Sequence, residues 1–150
     1  MNLAVIGSGG REHAICYKLK QSKKINKIIC IPGNAGTQKI AENIKEDISN
    51  FNAIYQIVKM KNIDIVVVGP ELPLVEGLVD YLIEKKIKVF GPNKFSSRLE
   101  GSKAFMKDLC KKNNIPTANF GVFDNLSEAT KFIKKSKTPI VVKADGLAAG

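Results

Sequence analysis

The chain opens on an apolar run, Leu3-Ala4-Val5-Ile6, that passes straight into Gly7-Ser8-Gly9-Gly10 and on into Arg11-Glu12-His13-Ala14. No other feature constrains the fold as tightly. A short continuous apolar run suits a strand covered on both faces of a parallel sheet. Clustered glycines let the backbone turn sharply and approach a ligand. A helix that starts there offers free N–H groups and the positive end of its dipole. Strand, glycine turn and helix, in that order, open an α/β unit with an anion site beyond the carboxyl end of its first strand.

The remaining sequence alternates between strand-like and helix-like periods. Arg11 to Gln21 reads as a helix with Ala14, Ile15 and Leu19 on its apolar face, and Lys27 to Ile31 as a second strand closed by PGNAGT (Pro32 to Thr37). A short helix is expected over Gln38 to Asn43, and a longer one over Asn50 to Lys61, where Phe51, Ile54, Tyr55 and Val58 keep helical spacing. Ile63 to Gly69 is the strongest strand, ended by Gly69-Pro70 and followed by the loop GPELPLVEG. A helix over Glu76 to Lys86 and a short strand over Lys88 to Gly91 follow. Beyond these, Ser97 to Asn113 reads as helix with a break at Gly101. Then come a strand over Asn119 to Phe123, a helix over Leu126 to Lys135 and a strand over Pro139 to Lys143. The fold class is therefore α/β, an open, mostly parallel sheet with helices on both faces. The glycine-rich tail ADGLAAG follows a strand with no closing element, which leads us to expect a longer chain.

Composition narrows the function. No apolar run approaches the roughly 18–20 residues of a membrane span, and the start of the chain has no basic stretch of the kind that opens a secretory signal. Cys16, Cys30 and Cys110 form no Cys-x-x-Cys and read as unpaired thiols in a reducing cytoplasm. With one histidine and no clustered ligands, a metal site within the stretch is not expected. The net charge of +10 is carried almost wholly by lysine; the arginines are Arg11 and Arg98. Phosphate and base recognition favours arginine forks, so we read the charge as a solvated surface rather than a nucleic-acid footprint.

The opening glycines invite comparison with the dinucleotide fingerprint G-x-G-x-x-G. Gly7 and Gly9 fill its first two positions, but Glu12 stands at the third, and the second strand ends on Ile31-Pro32-Gly33-Asn34 without an acid for a ribose diol. A nicotinamide cofactor, and with it an oxidoreductase, becomes the weaker alternative. An anion site remains. In an open parallel sheet the loops after the first, second and third strands share one edge. They gather Gly9, Gly10, Asn34, Gly36 and Glu71, with the hydroxyls of Ser8 and Thr37. Backbone N–H groups suit a phosphate, and Glu71 suits ribose hydroxyls or an ammonium. Farther on, Lys143 ends an apolar strand, where an ammonium needs an anion to compensate it. Lys103 lies early in a helix. Lys107 and Lys134-Lys135 read as solvent-exposed face.

GSGGREHA, PGNAGT, VVVGPELPLVEGLVD, FGPN, LEGSKAFMK, IPTA and VVKADGLAAG follow one another along the chain. In that order they resemble the phosphoribosylamine–glycine ligase family, also called glycinamide ribonucleotide synthetase, of the ATP-grasp superfamily. The resemblance covers essentially the whole chain and corresponds to the family's N-terminal portion. It implies a Rossmann-like pre-ATP-grasp, substrate-binding domain over residues 1–101 and the incomplete start of an ATP-grasp domain over residues 102–150. It also implies an ATP-dependent carboxylate–amine ligase of de novo purine synthesis. Glycine would be activated as glycyl phosphate, and the amine of 5-phosphoribosylamine would attack it to give glycinamide ribonucleotide, ADP and phosphate. Lys103, Lys143, Asp145, Gly146 and Gly150 would face ATP, and Gly9, Gly10, Asn34, Gly36 and Glu71 the aminoribose phosphate. No residue of the stretch is assigned a catalytic role, since the free amine is itself the nucleophile. The Mg²⁺ that accompanies ATP would be held by acidic residues beyond residue 150, so residues 1–150 alone are expected to be inactive. The implied partners are small molecules only, in a cytoplasmic and preferably monomeric protein. Another ATP-grasp ligase is the nearer alternative, and PGNAGT with GPELPLVEG argues against it.

Overall fold

The computed structural model describes residues 1–137 and 139–147. They divide into two compact units, Met1–Ser97 and Arg98–Gly150. The first unit holds β1 (Asn2–Gly7), α1 (Gly10–Lys20), β2 (Lys27–Pro32), a 3₁₀ turn (Thr37–Lys39) and β3 (Glu42–Asn43). It continues through α2 (Phe51–Met60), β4 (Ile65–Val68), α3 (Glu71–Glu76), α4 (Leu78–Glu84) and β5 (Val89–Phe90) into the start of α5 (Lys94–Gly101). The strands form a 5-stranded sheet in the order β3-β2-β1-β4-β5. Every neighbouring pair is parallel, with Val5 opposite Cys30 on one side and Val67 on the other. The α/β class expected from the alternating periods is therefore the observed one.

Period two inside continuous apolar strands builds two cores. Ala4, Ile6, Ile29, Ile31, Val66 and Val68 face one side and are buried with Ile54 and Val58 of α2 and Leu78 and Leu82 of α4. Val5, Ile28 and Cys30 face the other, against Cys16 of α1, with Ile15 and Leu19 partly buried around them. Helices thus cover both faces, which is why the central strands are apolar over residues 3–6, 28–31 and 65–68. Asn50 caps α2, its Oδ1 accepting from the Ala53 N–H at 3.1 Å. An uncapped first turn would cost about 1 kcal/mol.

Several expected elements differ. No helix forms over residues 38–43. Only the 3₁₀ turn forms, after which Glu42 and Asn43 pair with Ile29 and Cys30 of β2. The open edge of β2 offers ladder partners that a short isolated helix cannot match. The loop after β4 is not a loop, because Glu71–Glu76 is helical. Pro73 falls in its first turn, where a missing N–H is tolerated. Gly77, at φ +103°, then breaks the chain between α3 and α4, so the helix expected from Glu76 begins at Leu78. The break expected at Gly101 falls at Ser102, whose extended backbone separates α5 from α6.

The second unit contains α6 (Lys103–Lys112) and α7 (Leu126–Lys135). Ser102 caps α6 through the Phe105 N–H, and Asn125 caps α7 through the Ser127 N–H. The rings of Phe123 and Phe132 lie 5.1 Å apart, and the Arg98 guanidinium sits 4.0 Å from the Phe105 ring centre. No residue of α6 or α7 is buried. The strands expected over residues 119–123 and 139–143 are absent. Val141 and Val142 stand 76% and 74% exposed rather than buried. A strand is completed by a neighbour's N–H and C=O groups, and no strand is present among the described residues of this unit.

Candidate functional site

The carboxyl ends of β2, β1 and β4 lie side by side, and the loops leaving them are tied together. The Gly33 N–H donates to the Gly7 carbonyl, and the Gly69 N–H to that of Ile6, each at 3.1 Å. Asn34 laces the first two loops. Its Nδ2 donates to the Ser8 carbonyl at 2.7 Å and the Gly9 carbonyl at 3.2 Å. Its Oδ1 accepts from the Gly36 N–H at 2.8 Å and the Thr37 N–H at 2.9 Å. Gly36 leaves room for the His13 ring, which a Cβ there would meet at 2.6 Å. The first loop joins the third through Arg11, whose guanidinium lies 2.8 Å from Glu71 Oε1. Gly9, Asn34, Gly36 and Glu71 are thus brought to one edge, and Gly10 begins α1 between them.

The same geometry decides what each group has left to offer. Both ends of the Asn34 amide are used within the protein, so Asn34 organises the edge. Thr37 is fully buried, and its hydroxyl is shared between the Asn34 carbonyl and Asn43 Oδ1. It is not presented to a ligand, contrary to its reading as an available hydroxyl. Glu71 starts α3, and its own backbone N–H, followed by Arg11, holds its carboxyl below the usual value. Gly10 is exposed, and a Cβ there would meet nothing within 4 Å. The protein itself gives no steric reason for a glycine at that position.

Glu12 and Asn43 were not visible as site residues in the sequence. Glu12 is buried and its Oε2 accepts the Gly9 N–H at 2.7 Å, so that α1 is capped from its own third residue. Asn43 Nδ2 donates to the Asn34 carbonyl at 2.8 Å and so braces the second loop from β3. Glu12 shows in sequence as the residue in the third-glycine place. Asn43 gives no signal, because its role depends on strand pairing. Beneath the first loop, the Cys30 thiol donates to the Gly7 carbonyl at 3.5 Å. Contact with Cys30, then burial, pushes the Cys16 thiol up.

In the second unit, Lys103, Asp145 and Gly146 come together. Lys103 Nζ donates to the Gly146 carbonyl at 2.5 Å. Asp145 accepts from the Ser102 hydroxyl at 2.9 Å and the Ala104 N–H at 3.2 Å. It sits at the start of α6, where an anion is stabilised. The Ala104 N–H, then Ser102, lower its carboxyl pKa. Lys143 is exposed, not the end of a buried strand, so its ammonium needs no anion to compensate burial. Gly150 lies outside the described residues. Lys107 is half-buried and donates to the Thr117 hydroxyl at 2.6 Å, so it is more than solvated surface. Among the described residues no three His, Cys, Asp or Glu side chains gather to hold a metal ion.

The phosphoribosylglycinamide synthetase N domain matches residues 1–100, and the ATP-grasp (A) domain of the same synthetase matches residues 101–150. The chain is 47% identical over 150 residues to a phosphoribosylamine–glycine ligase of Clostridium acetobutylicum, covering 100% of this chain and 36% of that protein. It is 50% identical over 150 residues to that of Mesorhizobium japonicum, covering 100% of this chain and 35% of that protein. The crystal structure of phosphoribosylamine–glycine ligase from Thermotoga maritima superposes with a TM-score of 0.75 at 35% identity, covering 100% of this chain and 34% of the other. The chain spans about a third of the length of these relatives. With a domain match over residues 1–100 and the three laced strand-end loops inside it, the chain belongs to the phosphoribosylglycinamide synthetase family.

Proposed function

We propose that this chain is the N-terminal part of an ATP-dependent ligase that joins glycine to 5-phosphoribosylamine and yields glycinamide ribonucleotide, ADP and phosphate. A glycine carboxylate oxygen takes the terminal phosphoryl group of ATP, which leaves as ADP. The amine then attacks the acyl carbon and phosphate departs. Residues 1–101 hold the aminoribose phosphate, and residue 102 onward opens the part that holds ATP. The laced edge of β2, β1 and β4 supplies a rigid seat for a sugar phosphate, and orientation of this kind is a large part of catalysis in amine transfer. Gly10 lets the phosphate come close to the start of α1, and Glu71 takes the ribose hydroxyls or the amine. Lys103, beside Asp145 and Gly146, is placed to exchange its carbonyl contact for an ATP phosphate. Lys143, and Gly150 with it, would join that set. Its partners are then small molecules, and a monomer in the cytoplasm is our reading; no helix among the described residues is long and apolar enough to cross a membrane.

The observation that carries the reading is Gly10, an exposed glycine opening a helix at the meeting of the laced loops, with empty space where a side chain would stand. The experiment follows from it. In the full-length protein, Gly10→Ala should hold or raise stability, by up to about 1 kcal/mol from helix propensity alone. It should also raise KM for 5-phosphoribosylamine at least about tenfold, a loss of roughly 1.4 kcal/mol in binding, and leave KM for ATP unchanged. Phosphate release by the parent protein that does not require both glycine and phosphoribosylamine would sink the proposal.

A further inference from the structure

We infer that Glu12 is a positioning residue for the sugar phosphate. Its carboxylate sets the path of the loop Gly7–Gly10 and turns a dinucleotide-type turn into a seat for a single phosphate. The inference rests on the reading of residues 1–101 given above.

Glu12 occupies the third-glycine place of the fingerprint. In a dinucleotide fold that glycine lets helix and strand pack closely, and the second lets backbone approach a pyrophosphate. Here the Glu12 side chain is only 3% exposed and folds inward beneath the loop. Glycines from two strand ends make its room. A Cβ at Gly7 would lie 2.7 Å from Glu12 Cδ, one at Gly9 would lie 3.0 Å from Oε2, and one at Gly69 would overlap Oε1. Oε2 takes the Gly9 N–H, the donor that a dinucleotide turn would present to pyrophosphate. Asn34 holds the Ser8 and Gly9 carbonyls from the other side. Gly9 is thus held through both its N–H and its carbonyl, and its N–H is not offered to a phosphate.

Capping of α1 accounts for Glu12 Oε2 but not for Oε1. Oε1 is buried without a hydrogen bond, although Arg11 Nε approaches it to 3.3 Å. Burying a carboxylate oxygen so placed is unfavourable. A locally costly group that holds a loop in place points to the ligand of that loop. Arg11 meets both Glu12 and Glu71, so the same carboxylate also steadies the third loop.

The test uses the full-length protein with Glu12→Ala, Glu12→Gln and Gly69→Ala. Glu12→Ala should raise KM for 5-phosphoribosylamine about tenfold or more, while kcat and the KM values for ATP and glycine move less than about twofold. Glu12→Gln keeps an oxygen for the Gly9 N–H and should recover most of the loss. Gly69→Ala displaces the carboxylate from the β4 side and should resemble Glu12→Ala, and the double variant should be no worse than either single one. Hydrogen exchange at the Gly9 amide should quicken in Glu12→Ala and stay slow in Glu12→Gln. Unchanged KM in a folded Glu12→Ala protein, a parallel rise of all three KM values, or unchanged exchange at Gly9 overturns the inference. If Glu12→Ala does not fold, Gly69→Ala and Glu12→Gln decide it in the same way. A parent protein that forms no glycinamide ribonucleotide overturns the substrate, and exchange at Gly9 then decides the role of Glu12 in the loop by itself.

Discussion

Asn34 shows what one side chain contributes when both ends of its amide are engaged. It holds two carbonyls of the first loop and two N–H groups of the second. The PGNAGT motif pointed to Asn34 as a ligand-facing residue. The two carbonyls that its Nδ2 holds belong to a loop 25 and 26 residues earlier, and only folding brings them near. Glu42 is a similar case on the surface. Nothing in the sequence ties it to Lys27 and Lys61, yet β3 places it between their ammonium groups, Lys27 Nζ at 2.6 Å. Hydrogen bonds from Lys27, then Lys61, hold its carboxyl below the ordinary 4.5. Because the folded value is the lower one, the stabilisation is complete above about pH 4.5 and is lost as pH falls through the folded value. The group is 40% exposed, so the effect is that of a surface pair, about 0.5–1 kcal/mol after screening. Glu42→Gln should therefore lower stability near neutral pH by about that amount. It should also flatten the loss of stability under acid, as urea unfolding at several pH values would show.

The elements divide by how local their causes are. β1, β2 and β4 were plain in sequence because an unbroken apolar run between turn signals has few other uses. α1, α2 and α7 lie within a residue or so of their expected bounds, since caps and helical spacing are short-range signals. The misread strands involve a distant partner, or the lack of one. β3 exists because β2 has an open edge. The two strands expected after residue 118 lack a paired neighbour among the described residues. α3 escaped notice because Pro70 and Pro73 suggest a loop, although both are admissible at a helix start. α4 meets the sheet through Leu82, which is fully buried among Ile54, Ile57, Val66 and their neighbours. Leu82→Ala should destabilise the first unit by about 2–5 kcal/mol, measured by chemical denaturation of the full-length protein. A loss under about 1 kcal/mol would mean that α4 does not close that face.

At the scale of the whole molecule, the two units differ in kind. Met1–Ser97 contains every buried hydrophobic residue named in either core. The helices α6 and α7 bury none. A polypeptide of residues 1–97 should accordingly unfold in one cooperative transition. Residues 98–150 by themselves should show helical circular dichroism at most and no such transition. Thermal melts of the two separate pieces would check this, and a cooperative melt of the second would contradict it. The sequence by itself determined the parallel α/β unit, its central strands and the three glycine-bearing loops. These follow from apolar runs, periodicity and turn chemistry, all of which act between near neighbours. Tertiary structure alone decided that Asn34 and Thr37 face inward, that Glu12 fills the third-glycine place and grips Gly9, and that Gly10 is left open. The reason is physical. A hydrogen bond goes to whichever donor the fold places within about 3 Å, and the partners at this edge come from separate strands.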